Sequence, residues 1–272
     1  MRVLISVDME GIAGVTGHED VWPGSVPYGR FRRLMTDEAN AAVAGAFSGG
    51  ATSVVVNDSH DGMRNILYEE LDPRAELISG YDKALCMVEG VSDAQAAVFI
   101  GYHAMAGTAR AVLDHTISGA QTHNWYLNGI RVGEAQLNAA LCGYFKVPVV
   151  AVSGDDKLAA QVQSSLPGTR SIVVKESLHR EAARSLPRGA VLSLITSEVT
   201  EAVRNYRKIA PIAAVRPATI RVEFSRSGFA DLAALLPDAR RIDDRTLEVS
   251  GASIVEAWRL ADVMLRLCGS GS

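Results

Sequence analysis

The sequence predicts an α/β fold, in which a mixed, mainly parallel sheet is flanked by helices and followed by a smaller α+β region. Two observations lead to this prediction. Short apolar runs without a helical period alternate with helical segments along the N-terminal part, which is typical of buried parallel strands. Beyond Pro211 the pattern changes to period two, as in half-exposed antiparallel strands. We therefore assign residues 1–210 to an α/β domain and residues 211–272 to the smaller α+β region.

The first predicted strand is the apolar run Val3 to Val7, which leads directly to Asp8 and Glu10. Because side chains of a strand alternate between its faces, Asp8 and Glu10 can point the same way. Two carboxylates that leave a buried strand together repel each other unless a cation lies between them. A divalent metal ion is the simplest such cation. The alternative is that one carboxylate caps the next helix and the other faces solvent.

A helix and two further strands continue the alternation. Apolar residues at helical spacings predict a helix from Tyr28 to Phe47. The runs Ser53 to Asn57 and Ala96 to Ile100 predict the second and third strands, which lead to His60 and His103. Ligands bind at the carboxyl ends of the strands in such sheets. Acids and histidines at three strand ends therefore favour a metal site.

The middle of the chain predicts a β-hairpin that leads into a helix. Asn128-Gly129 stands between the apolar runs 125–127 and 130–132, and this is the strongest short-range hairpin signal. Glu134 follows and precedes a helix predicted from Ala135 to Phe145. A carboxylate in the first turn of a helix interacts favourably with the helix dipole. Taken alone, Glu134 is therefore explained equally well by that interaction and by metal ligation.

The remaining elements follow from the same criteria. A fourth buried strand is expected from Val147 to Val152, and Asp155 or Asp156 can cap the helix after it. The other predictions are a short helix from Tyr81 to Gly90, helices from Lys157 to Ser165 and Val191 to Ile209, a strand from Ser171 to Val174 with a helix after Ser177, a period-two strand from Thr219 to Phe224, a helix from Phe229 to Leu236, edge strands from Arg240 to Ile242 and Thr246 to Val249, and a closing helix from Ala252 to Leu267. The Gly-Ser tail is expected to be disordered.

Composition excludes several classes of protein. Of the 272 residues 48% are hydrophobic and 21% are charged, and the net charge of -4 argues against a nucleic-acid binder, which carries a basic face. No apolar run approaches the length of about 18 residues that spans a membrane, and we expect no signal peptide at the N-terminus. Cys86, Cys142 and Cys268 form neither a metal knuckle nor a disulfide framework, so buried thiols in a reducing compartment are expected. We expect a cytoplasmic protein without nucleic-acid or membrane partners.

The candidate metal ligands combine carboxylates and imidazoles and contain no thiolate: Asp8, Glu10, His60, His103 and Glu134. This set suits a catalytic zinc, manganese or cobalt ion better than a structural zinc ion. Five ligands are many for one catalytic ion and suit two ions about 3.5–4 Å apart, with Asp8 as the natural bridge. Such a pair lowers the pKa of bound water and polarises a carbonyl group. Four further residues remain as acid/base or supporting groups: Asp58, Asp61, His115 and His123.

Several motifs, in shared order and spacing, resemble the D-aminopeptidases of peptidase family M55. They are Ser6-Val7-Asp8-Met9-Glu10-Gly11-Ile12, Asn57-Asp58-Ser59-His60, Met87-Val88-Glu89-Gly90, Gly101-Tyr102-His103-Ala104 and Val132-Gly133-Glu134. The resemblance covers nearly the whole chain. It implies a zinc-dependent aminopeptidase acting on short peptides with D-amino acids, notably D-Ala. It also implies a ring-like homo-oligomer, a decamer in the well-known member, whose sites face an inner chamber.

The same resemblance assigns the ligands to two zinc ions. It implies Asp8, Glu10 and His60 for one ion, and Asp8, His103 and Glu134 for the other. His115 matches an additional active-site histidine, to which we give an acid/base or transition-state-stabilising role. The loop between His103 and His115 is only loosely like the family pattern. Because this loop is expected to shape the substrate pocket, the D-Ala preference depends on the resemblance more than the metal site does.

We therefore predict a dinuclear zinc aminopeptidase that hydrolyses short peptides with an N-terminal D-amino acid. One alternative is a metallohydrolase of another amide or of a phosphate ester, although no Gly-rich phosphate cradle is present. The other alternative is a metal-free binding module on a Rossmann-like sheet. The stretch Gly11-Ile12-Ala13-Gly14 lacks the full GxGxxG spacing, and such a module leaves the acids and histidines unexplained.

Overall fold

The N-terminal apolar runs form the centre of a seven-stranded sheet in the computed structural model, which describes residues 1–269. In spatial order its strands are β3 (Ala75–Ile78), β2 (Ser53–Asp58), β1 (Arg2–Val7), β4 (Ala96–Ile100), β7 (Val149–Asp155), β8 (Arg170–His179) and β9 (Ala182–Ser185). All neighbouring strands pair in parallel except β9, which runs antiparallel to β8. The carboxyl ends of β1, β2 and β4 therefore lie side by side at one edge.

Helices cover both faces of this sheet, as its continuous apolar strands require. On one face, Val3 and Ile5 of β1 pack with α2 (Tyr28–Ser48) and α5 (Arg188–Arg204). On the other face, Leu4 of β1 belongs to a core shared with α3 (Glu134–Tyr144) and α4 (Asp156–Ser165). A short helix, α1 (His18–Val21), lies in the loop after β1. The alternation of helices and parallel strands confirms the predicted fold class.

A second sheet packs over the α3 side of the first sheet and is entirely antiparallel. Its strands, in spatial order, are β11 (Arg240–Arg241), β12 (Thr246–Gly251), β10 (Ala218–Phe224), β5 (Thr122–Leu127) and β6 (Ile130–Val132). Two helices, α6 (Ser227–Ala233) and α7 (Ile254–Gly269), cover it. The rings of Trp125 and Trp258 lie 6.2 Å apart and join β5 to α7. The sheet takes strands from both sides of residue 211. The domain boundary at that residue stays a prediction.

The predicted hairpin and the period-two strand are both present. Asn128 and Gly129 have φ angles of 48° and 82°, and two positive φ angles are what a tight hairpin turn of this kind requires. Strand β10 alternates buried and half-buried residues along its whole length. Strand β12 lies between β11 and β10, so the prediction that it is an edge strand is wrong.

Two predicted helices are absent from the described part of the chain. Residues 81–90 contain only a single 3-10 turn, Cys86–Val88, because the carbonyl groups of Cys86 and Met87 accept hydrogen bonds from the side chains of Asn57 and Ser6 instead of helix amides. The segment after Ser177 continues as β8 and turns back as β9. Part of the predicted disordered tail, residues 270–272, lies outside the described residues. Within residues 1–269, no helix has both the length and the hydropathy needed to cross a membrane.

Candidate metal centre

The five predicted metal ligands meet at the carboxyl edge of the first sheet. Asp8 and Glu10 follow β1, His60 follows β2, His103 follows β4 and Glu134 is the first residue of α3. All five side chains are buried. His115 lies in the loop between β4 and β5, and its half-buried side chain joins them.

Two glycines allow the ends of β1 and β4 to approach closely enough to build this edge. Asp8 N donates to Ile100 O at 2.8 Å and Gly11 N donates to Gly101 O at 2.7 Å. A Cβ atom on Gly11 would lie 1.9 Å from Tyr102 O, and Gly101 has a φ angle of +70°. Any side chain at Gly11 would therefore separate Asp8 from His103.

One ring nitrogen of each of the two strand-end histidines lies between two carboxylates. His60 Nδ1 is 3.3 Å from Asp8 Oδ1 and 3.1 Å from Glu10 Oε2. His103 Nε2 is 3.5 Å from Asp8 Oδ2 and 3.3 Å from Glu134 Oε2. Asp8 thus uses one oxygen toward each histidine, which is the arrangement expected of a carboxylate that bridges two ions.

Backbone carbonyl groups fix the tautomer of all three histidines. His60 Nε2 lies 2.9 Å from Val21 O, His103 Nδ1 lies 3.0 Å from Ala104 O and His115 Nδ1 lies 2.8 Å from Leu113 O. A carbonyl oxygen only accepts, so in each ring the nitrogen facing it carries the proton. In the neutral rings the other nitrogen then presents a lone pair to the carboxylates. A nitrogen lone pair and a carboxylate that face each other repel unless a cation lies between them.

The buried atoms without hydrogen bonds fit a cation as well. Among the residues described, Asp8 Oδ2, Glu10 Oε2 and His103 Nε2 are buried side-chain atoms that have no hydrogen-bond partner. Leaving three such atoms unsatisfied costs about 1–3 kcal/mol each, and more for charged groups. Ligand atoms of Asp8, Glu10 and His103 lie within 4.8 Å of one another, and so do those of His103, His115 and Glu134. Oxygen and nitrogen donors in this number fit divalent transition-metal ions.

Crowding of the carboxylates shifts their proton affinities. Burial, reinforced by the charge of Glu10, raises the pKa of Asp8 to about 8. Burial opposes ionisation of Glu10 and Glu134 too, but the charges of His60 and His103 hold the pKa of each below its usual value. Burial lowers the pKa of His103, but the negative charges of Glu134, Asp8 and Glu10 outweigh it and raise the pKa to about 10. Divalent cations would take over the charge balance that protons otherwise supply here.

His115 completes the cluster from the side of the cavity. Its ring stacks on that of His103 with centroids 4.0 Å apart, and its Nε2 lies 3.8 Å from Glu134 Oε1 and 4.0 Å from Glu10 Oε1. Burial, together with the charge of His103, lowers the pKa of His115. A neutral imidazole held in this position suits proton transfer, and its free Nε2 is also within reach of a metal ion bound to Glu134.

The other candidate residues have different positions. The Asp58 carboxylate accepts from Ile66 N at 2.7 Å and from Asn65, so it shapes the loop after β2. Asp61 lines the cavity above the cluster. His123 is exposed on β5 and lies in the second sheet.

Sequence reasoning missed Lys175, whose side chain hydrogen-bonds to the turn that carries Glu10. Its side chain is buried, and Nζ donates to Glu10 O at 2.5 Å, Ile12 O at 2.9 Å and Val15 O at 2.8 Å. These bonds hold the turn that follows Asp8 and Glu10. The sequence signal for a buried lysine was its position directly after the apolar run Ile172 to Val174. Lys175 belongs to the same buried strand as that run.

The cluster opens into a cavity of about 490 Å³. Its walls include Trp22, Tyr81, His115, Arg180 and Asp262. A volume in this range holds a ligand of the size of a short peptide. The buried cluster and the cavity that it lines form a candidate site for metal-assisted chemistry on such a ligand.

Comparison with known proteins agrees with this chemistry. The model of the D-aminopeptidase family, peptidase family M55, matches residues 1–263. The D-aminopeptidase of Bacillus subtilis (strain 168) is 37% identical over 269 residues, which cover 98% of this chain and 97% of that protein. The solved structure of the Zn-dependent D-aminopeptidase DppA from Bacillus subtilis, a self-compartmentalizing protease, matches 100% of this chain and 99% of its own with a TM-score of 0.95 at 36% identity. The resemblance inferred from the motifs is confirmed, and the chain belongs to the D-aminopeptidase family, peptidase family M55.

Proposed function

We propose that this protein is a dinuclear zinc aminopeptidase that removes N-terminal D-amino acids from short peptides. The observation that carries the proposal is the buried cluster of carboxylates and imidazoles, with unpaired atoms, that lines a cavity. Zinc and the D-aminopeptidase activity are properties of the relatives in Bacillus subtilis. The D stereochemistry rests on those relatives, and the preference for D-Ala rests on the motif resemblance.

We assign the ligands to two ions as the motifs imply. Asp8, Glu10 and His60 hold one ion, and Asp8, His103 and Glu134 hold the other. Bound there, a zinc pair polarises the substrate carbonyl, lowers the pKa of water and stabilises developing negative charge. The two oxygens of Asp8 face different histidines, which supports its role as the shared ligand.

His115 is the residue to which we give the proton-transfer role. Because Leu113 O holds Nδ1, the free atom of the ring is Nε2, which faces Glu10, Glu134 and the cavity. Nε2 can therefore accept a proton from the attacking water or donate one to the leaving amine.

We also propose that the chain assembles into a ring-like homo-oligomer, a decamer, in the cytoplasm. The support for assembly is the relative described as a self-compartmentalizing protease. The support for a reducing compartment is that Cys86, Cys142 and Cys268 are all free thiols. Enclosure of the sites in a chamber would restrict access to short, unfolded peptides. Sedimentation velocity measures the assembly directly.

The test is metal content together with a substrate panel. Protein purified without chelator should carry about two zinc equivalents per chain and should hydrolyse D-alanyl peptides in preference to L-alanyl peptides and phosphate esters. His60→Ala should lose both an ion and turnover. His123→Ala, at an exposed histidine of the second sheet, is the matched control and should retain both. Full activity of His60→Ala, or equal turnover of the D and L peptides, would contradict the assignment.

A further inference from the structure

The tip of the hairpin formed by β8 and β9 lies beside the cavity and brings one arginine into its wall. Arg180 lines the same cavity as Glu10, His115 and Glu134. Its carbonyl oxygen accepts from Leu113 N at 3.0 Å, which ties the hairpin tip to the loop that carries His115. The Arg180 backbone is therefore held in register with the catalytic loop, although its side chain is half exposed.

The side chain of Arg180 is held on one side and open on the other. Its Nε donates to Asp114 Oδ1 at 3.1 Å, and Asp114 Oδ2 accepts from Gly107 N at 2.7 Å, so the carboxylate that holds it is itself fixed. The exposed Glu181 lies 3.7 Å from Nη1. Within residues 1–269, Nη2 has no recorded hydrogen bond. Nε therefore faces Asp114 and Nη1 faces Glu181, while Nη2 remains available to a ligand.

The charge of the cavity wall makes this position distinctive. Of the described residues that line the cavity, Arg180 is the only lysine or arginine. Five carboxylates line the same cavity: Asp8, Glu10, Asp61, Glu134 and Asp262. A peptide with two free ends brings one ammonium group and one carboxylate into this space. Asp61 and Asp262, which are not candidate metal ligands, suit the ammonium group, whereas the guanidinium group of Arg180 suits the substrate carboxylate.

We propose that Arg180 binds the C-terminal carboxylate of the peptide substrate. This inference rests on the proposed aminopeptidase function.

The test compares one peptide with and without its terminal charge. Steady-state kinetics are measured for zinc-loaded wild type and Arg180→Gln with D-alanyl-D-alanine and with its C-terminal amide. We expect Arg180→Gln to raise KM for the free acid about 10- to 100-fold, the effect of losing a charge-assisted hydrogen-bond pair, and to change KM for the amide less than about threefold. Because the carboxylate contact lies away from the reacting carbonyl, kcat should change much less than KM.

Two further variants complete the design. Arg184→Gln lies on β9 of the same hairpin, where the guanidinium pairs with Glu176 and does not line the cavity, and it should leave both substrates unaffected. Arg180→Lys keeps the charge without the fork and should restore part of the lost affinity, which covers the case of an unstable glutamine variant.

The outcomes separate this inference from the proposed function. Equal losses on the acid and the amide in Arg180→Gln would show that Arg180 only clamps the loop before His115, and would overturn the inference. Unchanged kinetics in both Arg180 variants would also overturn it. Failure of the wild type to hydrolyse either D peptide would instead refute the proposed function, and the inference with it.

Discussion

Replacement of Lys175 by methionine tests whether the turn after β1 is held from inside the protein. Lys175→Met keeps the length of the side chain but removes the ammonium group that donates to Glu10 O, Ile12 O and Val15 O. The three carbonyl groups then lose a donor in a place that water does not reach. We expect the turn that carries Glu10 to loosen, so the variant should lose stability and zinc affinity together.

The size of the effect follows from two opposing free energies. Each carbonyl left unsatisfied in the interior costs about 2 kcal/mol, or roughly 6 kcal/mol for three. Burial lowers the pKa of Lys175 to about 8. Removal of the buried ammonium group therefore removes a desolvation cost of roughly 3 kcal/mol. The net loss is about 3 kcal/mol. For a chain of this size that corresponds to a fall in Tm of roughly 6–12 °C.

Chemical denaturation followed by tryptophan fluorescence, with zinc content measured on the same samples, provides the assay. Lys157→Met is the matched control, because Lys157 pairs only with the neighbouring Asp156 at the surface, and we expect a change below about 1 kcal/mol there. A loss below about 1 kcal/mol in Lys175→Met, with full zinc content, would refute the reasoning. It would mean that the three carbonyl groups find other donors or that the turn is stable without them.

Removal of zinc by a chelator should lower Tm by roughly 10 °C, because ions that bind only the folded chain stabilise it by about 4 kcal/mol at high saturation; an unchanged Tm would argue against a metal site. Gly11→Ala should abolish folding or zinc binding, since its Cβ would lie 1.9 Å from Tyr102 O, whereas Gly29→Ala in α2, with open space around the new atom, should be soluble and active. Burial raises the pKa of Glu38 to about 7, so the stability that this group contributes is full below its unfolded pKa of about 4.5 and is lost as pH rises through about 7. Between those pH values, the free energy of unfolding of Glu38→Gln should rise relative to that of wild type by up to roughly 3 kcal/mol. Parallel pH profiles of the two proteins would contradict this.

The sequence predicted the parallel strands and the ligand cluster because both depend on local order. Apolar β-branched runs specify buried strands, and parallel strands necessarily bring their carboxyl ends to one edge. Asp8, His60 and His103 each follow such a run directly, so their meeting required no knowledge of distant contacts. The tight turn at Asn128-Gly129 was predictable for the same reason.

The errors arose where distant groups decide local structure. Residues 81–90 have helical composition, but Ser6 and Asn57 take the carbonyl groups that a helix would use. The role of Lys175 depends on contacts with the distant turn after β1, which the order of residues around it does not reveal. The pairing of β5 with β10 joins residues almost a hundred positions apart, and no short pattern encodes it.

The helix that presents Glu134 begins directly after β6, with only Gly133 between them. Strand β6 is held by β5, and β5 is held in turn by β10 from the far end of the chain. The position of the Glu134 carboxylate therefore depends on strands that lie outside the cluster. A chain cut before β10 would leave that hairpin without its neighbour, so the part of the chain from β10 onward supports the position of Glu134.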